Sequence, residues 1–336
     1  KDCFGCVGLK NKQYYIFNQP HSKEEYEQKL AQLDTGSAAV IAAVMPQVQV
    51  LIKNEIVKNY HGLNCENVTG DYLYNSRNIE EGYDLKNCED CCHCATAESF
   101  TDTLDINYSG SPTGGELCYN SLTVPGGNHV WFSINCFNGC ANVAYCANCF
   151  GCKDCFGCEG LKSKKYCILN KQYSKEEYEQ LVPQIIERMK AEGSWGQFFP
   201  RDFSPFAYNE TAAYLYYPLS KEEVLKRGWK WLDEEAAKET SPQALPDNIR
   251  DVPDAITQQV LRCEVTGKPY KILPQELEFY KQMKIPLPRK CFDARNKERF
   301  TLRNPRHLWD RQCQKCQKHI KTTYAPDRPE TVYCQE

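Results

Sequence analysis

Between residues 61 and 160 the chain is patterned in short apolar runs. "YLY" at 72, "YDL" at 83, "LDI" at 104, "LCY" at 117, "VWF" at 130 and "VAY" at 143 each set two large apolar residues two positions apart, the period of a β-strand. The last four begin 13 residues apart, separated by Asn, Gly, Ser and Asp. Such spacing predicts stacked rungs, a β-solenoid rather than a meander or a sandwich. In a solenoid each rung buries few side chains and its neighbours complete the core. Small, poorly hydrated cysteines suit that interior.

Flanking this region is an internal repeat. "CFGCVGLKNKQYYIFNQPHSKEEYEQ" at 3–28 returns as "CFGCEGLKSKKYCILNKQYSKEEYEQ" at 155–180, with 18 identities in 26 positions. Each copy predicts a Cys/Gly turn, a short strand (14–17, 166–169), and a helix opened by a capping box, Ser22 with Glu25 and Ser174 with Glu177. "SAAVIAAVMPQVQVLI" at 37–52 is too short to span a bilayer and predicts a buried helix pair. Beyond 190 the chain is aromatic-rich and broken by Pro200, Pro205 and Pro218, then resumes a helix at Ser220 and Glu223. "KETSPQALPDNIRDVPD" at 238–254 predicts a linker. The expected fold class is therefore mixed β and α. Its expected segments are a strand-helix module with a helical extension (1–60), a cysteine-rich short-strand region (61–160), and a second strand-helix module with the aromatic segment (161–237). A linker (238–262) and a zinc-ribbon-like region (263–336) follow.

Composition narrows the chemistry. Among 336 residues there are 21 cysteines against three methionines, which predicts either a disulfide framework or metal–thiolate sites. The odd count, the chain length, the C-x2-C pairs and an opening without a secretory signal favour thiolates in a reducing, cytoplasmic setting. Starting at Lys1 and ending in "YCQE", the chain is expected to be cut from something longer. Net charge is −3, but residues 61–160 carry a local net of −10 and residues 289–321 one of +8. Opposite regions predict different roles.

The most specific chemical signal is "CQKC" followed, after 17 intervening residues, by a third cysteine: Cys313, Cys316 and Cys334. One turn supplies two thiolates and a returning strand the next, as in a tetrahedral zinc site. A fourth ligand is expected either beyond Glu336 or, less comfortably, from His319. Upstream, "CEVTGKPYKILPQELEFYKQMKIPLPRKCFDAR" at 263–295 resembles a zinc-ribbon family with two C-x2-C pairs, through Cys263, Gly267, Gln275, Glu276, Phe279, Tyr280, Pro288, Cys291 and Arg295. Thr266 and Ala294 stand where that family has cysteines, leaving two thiols, too few for a structural zinc site. The segments "FGCEGLKSKKYCILNKQYSKEEYEQLVPQII", "FFP", "SPFAYNET" and "RNPRHLWDRQCQKCQKHIKTTYAPDRPETVYC" resemble uncharacterised cysteine-rich, zinc-ribbon-containing proteins of candidate phyla radiation (Patescibacteria) bacteria. That resemblance covers most of 140–336 and implies zinc but no activity.

Around "CQKC" basic and aromatic residues interleave: Arg295, Arg299, Arg303, Arg306, Trp309, Arg311, Lys315, Lys318 and Lys321. They predict RNA or DNA contact through 289–321, or else a solvated face that pairs with the acidic middle of the same molecule. In "CANCFGCKDCFGC", Cys146, Cys149, Cys152, Cys155 and Cys158 fall at every third position. They, like Cys88, Cys91 and Cys94 of "CEDCCHC", are expected to be packed thiols, with a second metal site as the alternative. An iron–sulfur cluster is disfavoured because the downstream C-P is absent. Phosphate-loop, dinucleotide, HExxH and G-x-S-x-G patterns are missing. The sequence thus leans toward a non-enzymatic binding protein that contacts nucleic acid or a ribonucleoprotein through this region, with a protein-docking scaffold or an iron–sulfur or thiol redox protein as alternatives and no membrane partner.

Overall fold

The computed structural model describes residues 1–233 and 244–336. The fold is mixed β and α, with seven α-helices among the described residues. They are α1 (Lys23–Gln32), α2 (Ala38–Lys53), α3 (Lys175–Ala191), α4 (Ala212–Tyr216), α5 (Lys221–Lys226), α6 (Pro274–Met283) and α7 (Phe292–Thr301). The three expected capping boxes form at Ser22, Ser174 and Ser220, which start α1, α3 and α5. Two compact units are present, each assembled from separate stretches of chain. One comprises 1–57, 208–304 and 329–331, the other 58–207, 305–328 and 332–336.

The larger unit is built on a parallel ladder running from Gly62–Leu63 to Lys165–Ile168 and closed by the antiparallel strand Lys171–Gln172. Strands pair with the segment one coil later: Asp71 with Tyr83, Tyr83 with Ala95, Ala95 with Asn107, and Val143 with Cys155 and then Cys167. Between the long strands Arg77–Lys86 and Phe100–Ser109, the short strands Glu89–Cys92 and Ala95–Glu98 complete a closed ring of four.

Burial in this ladder has a period of three, not the two that the alternating runs suggested. From Cys88 to Ile106 every third residue (Cys88, Cys91, Cys94, Ala97, Phe100, Thr103, Ile106) is buried. The residue just before each (Asn87, Asp90, His93, Thr96, Ser99, Asp102, Asp105) has a positive φ between 50° and 61°. A left-handed residue every third position turns the chain, so one side chain per triplet faces inward. Asn, Asp and Gly recur there because they tolerate that conformation at least cost. In "CANCFGCKDCFGC" the left-handed residues are Asn148, Gly151, Asp154 and Gly157, each directly before a buried cysteine.

Four such triplets make a coil, which sets the twelve-residue register. The expected 13-residue spacing holds over one coil, where Asn128, Val130, Ile134 and Phe137 pair with Ala141, Val143, Ala147 and Phe150. Leu104 instead pairs with Tyr119, because the turn from Ser109 to Gly114 inserts three residues, while Tyr119 pairs with Trp131 at twelve. One extra residue enters at Asn138 and Gly139, both with positive φ. Outside the ladder Asn side chains bond coil to coil, Asn64 to Asn75 to Asn87 and Asn135 to Asn148. Phe137 stacks on Phe150 with centroids 5.4 Å apart. Helix α3 covers the final coil, packing Tyr178, Leu181 and Ile185 on Ala144, Phe156 and Ile168.

In the other unit α2 is a single helix running through Pro46, not a pair, and none of its residues is fully buried. The expected linker also takes structure: Ile249, Val252 and Ile256, on and beside two 3-10 turns, join Leu277 and Tyr280 of α6 in one apolar core. Its opening part, 238–243, lies outside the described residues. Among the described residues no helix is long and apolar enough to cross a membrane.

Candidate metal centre

Antiparallel strands Trp309–Gln312 and His319–Thr322 form the C-terminal hairpin. At its turn, Cys313 N–H donates to Lys318 O at 2.9 Å and Gln317 N–H to Cys313 O at 2.9 Å, with Gln317 left-handed at φ 64°. This curl points the thiols of Cys313 and Cys316 the same way. Cys334 returns to them because Val332 is buried and bonded twice to Gln314, through Gln314 N–H at 3.1 Å and Gln314 Oε1 at 2.6 Å. The three sulfurs lie within 4.8 Å of one another, with Cys316 and Cys334 3.7 Å apart.

The electrostatics favour thiolate at Cys313. Desolvation raises its pKa, but the backbone N–H groups of Cys316, Cys334 and Lys315 outweigh it and bring the thiol down to about 6. The donation from Cys334 N–H to its Sγ spans 3.2 Å. These three groups can hold a metal ion, and no other group of three or more candidate ligands converges in this way among the described residues. No family model matches the chain, and no curated protein matches it.

His319, the weaker candidate for a fourth ligand, stands outside this group and pairs with Asp310 at 3.1 Å. Cys88, Cys91, Cys94, Cys146, Cys149, Cys152, Cys155 and Cys158 are buried in the ladder core. Most bond in one pattern, to the carbonyls two residues back and nine residues on. Cys88 donates to Lys86 O and Ala97 O at 3.4 and 3.6 Å, and Cys146 to Ala144 O and Cys155 O at 3.4 and 3.6 Å. Ser121 makes the same two bonds to Tyr119 O and Val130 O. The interior cysteines thus act as small, weak donors to inward-facing carbonyls. They pack in the ladder core, where no three of them converge as candidate ligands, and burial pushes one of their neighbours, Cys118, up to about 11. All 21 cysteines are free.

The upstream segment has a matching turn. Cys263 N–H donates to Lys268 O at 3.0 Å, Gly267 N–H to Cys263 O at 2.9 Å, and Gly267 is left-handed at φ 68°. Thr266 Oγ1 lies 3.7 Å from Cys291 Sγ, and Cys263, Cys291 and Ala294 pack together with Tyr270.

The predicted basic surface is divided. Arg295, Arg299 and Arg303 belong to one unit, and Arg306, Trp309, Arg311, Lys315, Lys318 and Lys321 to the other. Arg306 is corrected outright: its side chain is only 7% exposed and donates to Asp84 Oδ2 and Thr96 Oγ1, both at 2.8 Å. Arg311 donates to Ala325 O at 3.1 Å, and Trp309 is half-buried beside His307. Lys315 is exposed, whereas Lys318 pairs with Glu336 and Lys321 approaches Asp310. Sequence reasoning missed Asp71, which is 2% exposed and accepts from His61 N–H, Tyr72 N–H and Thr323 Oγ1 at 2.7, 2.9 and 2.7 Å. Together Asp71 and Asp84 anchor the C-terminal hairpin on the ladder. The local charge imbalance was the available signal, since an acidic run and a basic run in one chain can neutralise each other.

Proposed function

We propose that this is a non-enzymatic binding protein in which zinc, held by Cys313, Cys316 and Cys334, fixes a small ribbon on a rigid β-solenoid scaffold. The observation that carries this reading is the convergence of the three thiols. Zinc–sulfur bonds of about 2.3 Å in a tetrahedron place sulfurs roughly 3.8 Å apart, and Cys316 and Cys334 stand 3.7 Å apart. Soft thiolates select zinc over hard cations. The twelve-residue parallel register supports the solenoid reading, and the free thiols support a reducing, cytoplasmic setting. The resemblance to cysteine-rich zinc-ribbon proteins belongs to this proposal. A protein partner is favoured as the ligand of the scaffold: Phe203 and Phe206, 76% and 59% exposed, offer aromatic anchors.

The test is metal quantification on the purified chain beside its C313S/C316S variant. About one zinc per chain, lost in the variant, is the expected result. Zinc retained in full by the variant would overturn the assignment. A second reading, nucleic-acid contact through the hairpin, is supported by exposed Lys315, Lys318 and Lys321. It predicts low-salt retention on RNA or DNA that K315A/K318A/K321A abolishes; binding untouched by that variant argues against it.

A further inference from the structure

The hairpins at Cys263 and Cys313 correspond group by group. Cys313 Sγ accepts from the N–H of Cys334 at 3.2 Å, and Cys263 Sγ accepts from the N–H groups of Cys291, Thr266 and Val265. Cys316 Sγ lies 3.7 Å from Cys334 Sγ. Thr266 Oγ1 likewise lies 3.7 Å from Cys291 Sγ, and it also bonds the Cys263 thiol. Cys263 and Cys291 thus hold the places of Cys313 and Cys334, and Thr266 that of Cys316. Both thiols are buried, at 3% and 5% exposure, and pack with Ala294 against Tyr270. This hairpin keeps two opposed sulfurs and lacks the other two corners of a tetrahedron.

The pair is also prepared to carry charge. Burial raises the pKa of Cys263, but the Thr266 hydroxyl and the N–H groups of Cys291, Thr266 and Val265 outweigh it and bring the thiol down to about 6. A thiolate therefore exists at neutral pH inside an otherwise apolar cluster. Positive charge is close by. Arg295 stands one turn beyond Cys291 on α7 and acts on Tyr270. Its Nε is buried without a hydrogen-bond partner among the described residues.

We infer that Cys263 and Cys291 form a second metal site, separate from the Cys313 cluster, that takes one copper(I) ion between two thiolates. Soft sulfur ligands select copper(I) as well as zinc. Zinc needs four ligands, and a threonine and an alanine deny it two of them here. Copper(I), a closed-shell monovalent ion, is satisfied by two opposed sulfurs. It takes the Cys263 thiolate and replaces the proton of Cys291, so the unit carries one negative charge where a zinc tetrathiolate carries two. The three N–H groups on Cys263 Sγ and the nearby guanidinium of Arg295 offset that single charge. One backbone turn, used twice, thereby sorts metals by the number of corners its side chains fill.

The experiment offers copper(I), as its acetonitrile complex, to the reduced full chain under anaerobic conditions, with bicinchoninate as competitor. A C313S/C316S background removes the other hairpin's cluster. About one copper per chain is expected to resist the competitor, and X-ray absorption is expected to show two sulfur neighbours around it. Adding C291S is expected to lower the bound copper by about one per chain. Loss of all copper to the competitor overturns the proposal, as does copper that C291S leaves in place. Three or more sulfurs around the ion also overturn it, because the copper then sits among other cysteines. None of these outcomes bears on zinc at Cys313, since that cluster is absent from the background.

Discussion

The hairpins at Cys263 and Cys313 share a backbone and differ in chemistry. Both close with the same pair of main-chain bonds and a left-handed residue four positions after the first cysteine, Gly267 in one and Gln317 in the other. At Cys313 two further thiols complete a cluster; at Cys263 a threonine and an alanine occupy the places, and the neighbourhood is apolar. The turn is therefore specified by local backbone bonding and not by a metal. What differs is the support behind it. The Cys263 hairpin borders the core of Leu261, Ile272, Leu277 and Tyr280, whereas the Cys313 hairpin rests on two polar anchors, buried Asp71 and partly exposed Asp84.

The largest expected effect follows from emptying one hairpin. A strong chelator, or the C313S/C316S change, should loosen residues 309–334, since structural zinc contributes on the order of 10 kcal/mol to folding. Hydrogen exchange should show that hairpin opening while residues 261–272 stay protected. The converse change fills the other: Thr266→Cys with Ala294→Cys gives four thiols around Cys263 and Cys291 and should add about one zinc per chain by metal analysis. No gain would mean that the matching turn does not bring its two halves to ligand spacing.

Smaller changes separate apolar from polar support. Leu277→Ala should cost about 2–5 kcal/mol in denaturant titrations that follow its unit. Thr323→Ala, which removes one of the bonds to buried Asp71, should cost about 1–2 kcal/mol in the other. The pH response is also one-sided. Burial, reinforced by the nearby Cys263 thiolate, pushes Tyr270 up to about 12, and its hydroxyl donates to Pro288 O at 2.7 Å. Because the folded pKa lies above the ordinary value of 10.0, this contribution is complete below about pH 10. It is lost as pH rises toward 12, so the Cys263 hairpin should loosen there. Tyr270→Phe should remove that alkaline step in a tyrosinate absorbance titration; a step unchanged in the variant would assign it elsewhere.

Much of this was legible beforehand. The repeat, the capping boxes and the convergence of Cys313, Cys316 and Cys334 follow from motif spacing, because caps and metal turns are local. The burial of Cys155 and Cys158 agrees with their place in the duplicated module. The ladder's true period was hidden because apolar pairs two apart imitate a strand, while one partner often lies on a flank: Val130 faces inward and Phe132 packs on Tyr119 and Tyr145. The telling residue was the one before each cysteine. Arg306 was misjudged because a charge run carries no information about which of its members meets a distant carboxylate. Similarly, Ile249, Val252 and Ile256 were masked by the Pro and Asp around them, which mark turns whether or not the turns are buried.

The triplet coil has a consequence for growth. Within the ladder each strand bonds to the segment one coil before it and one coil after it, and each coil adds about 4.8 Å. The ladder has already absorbed three residues at Ser109–Gly114 and one at Asn138–Gly139 without losing the inward row downstream. Such a design behaves as a ruler whose length gene duplication can reset in twelve-residue increments, leaving the end fittings as they are.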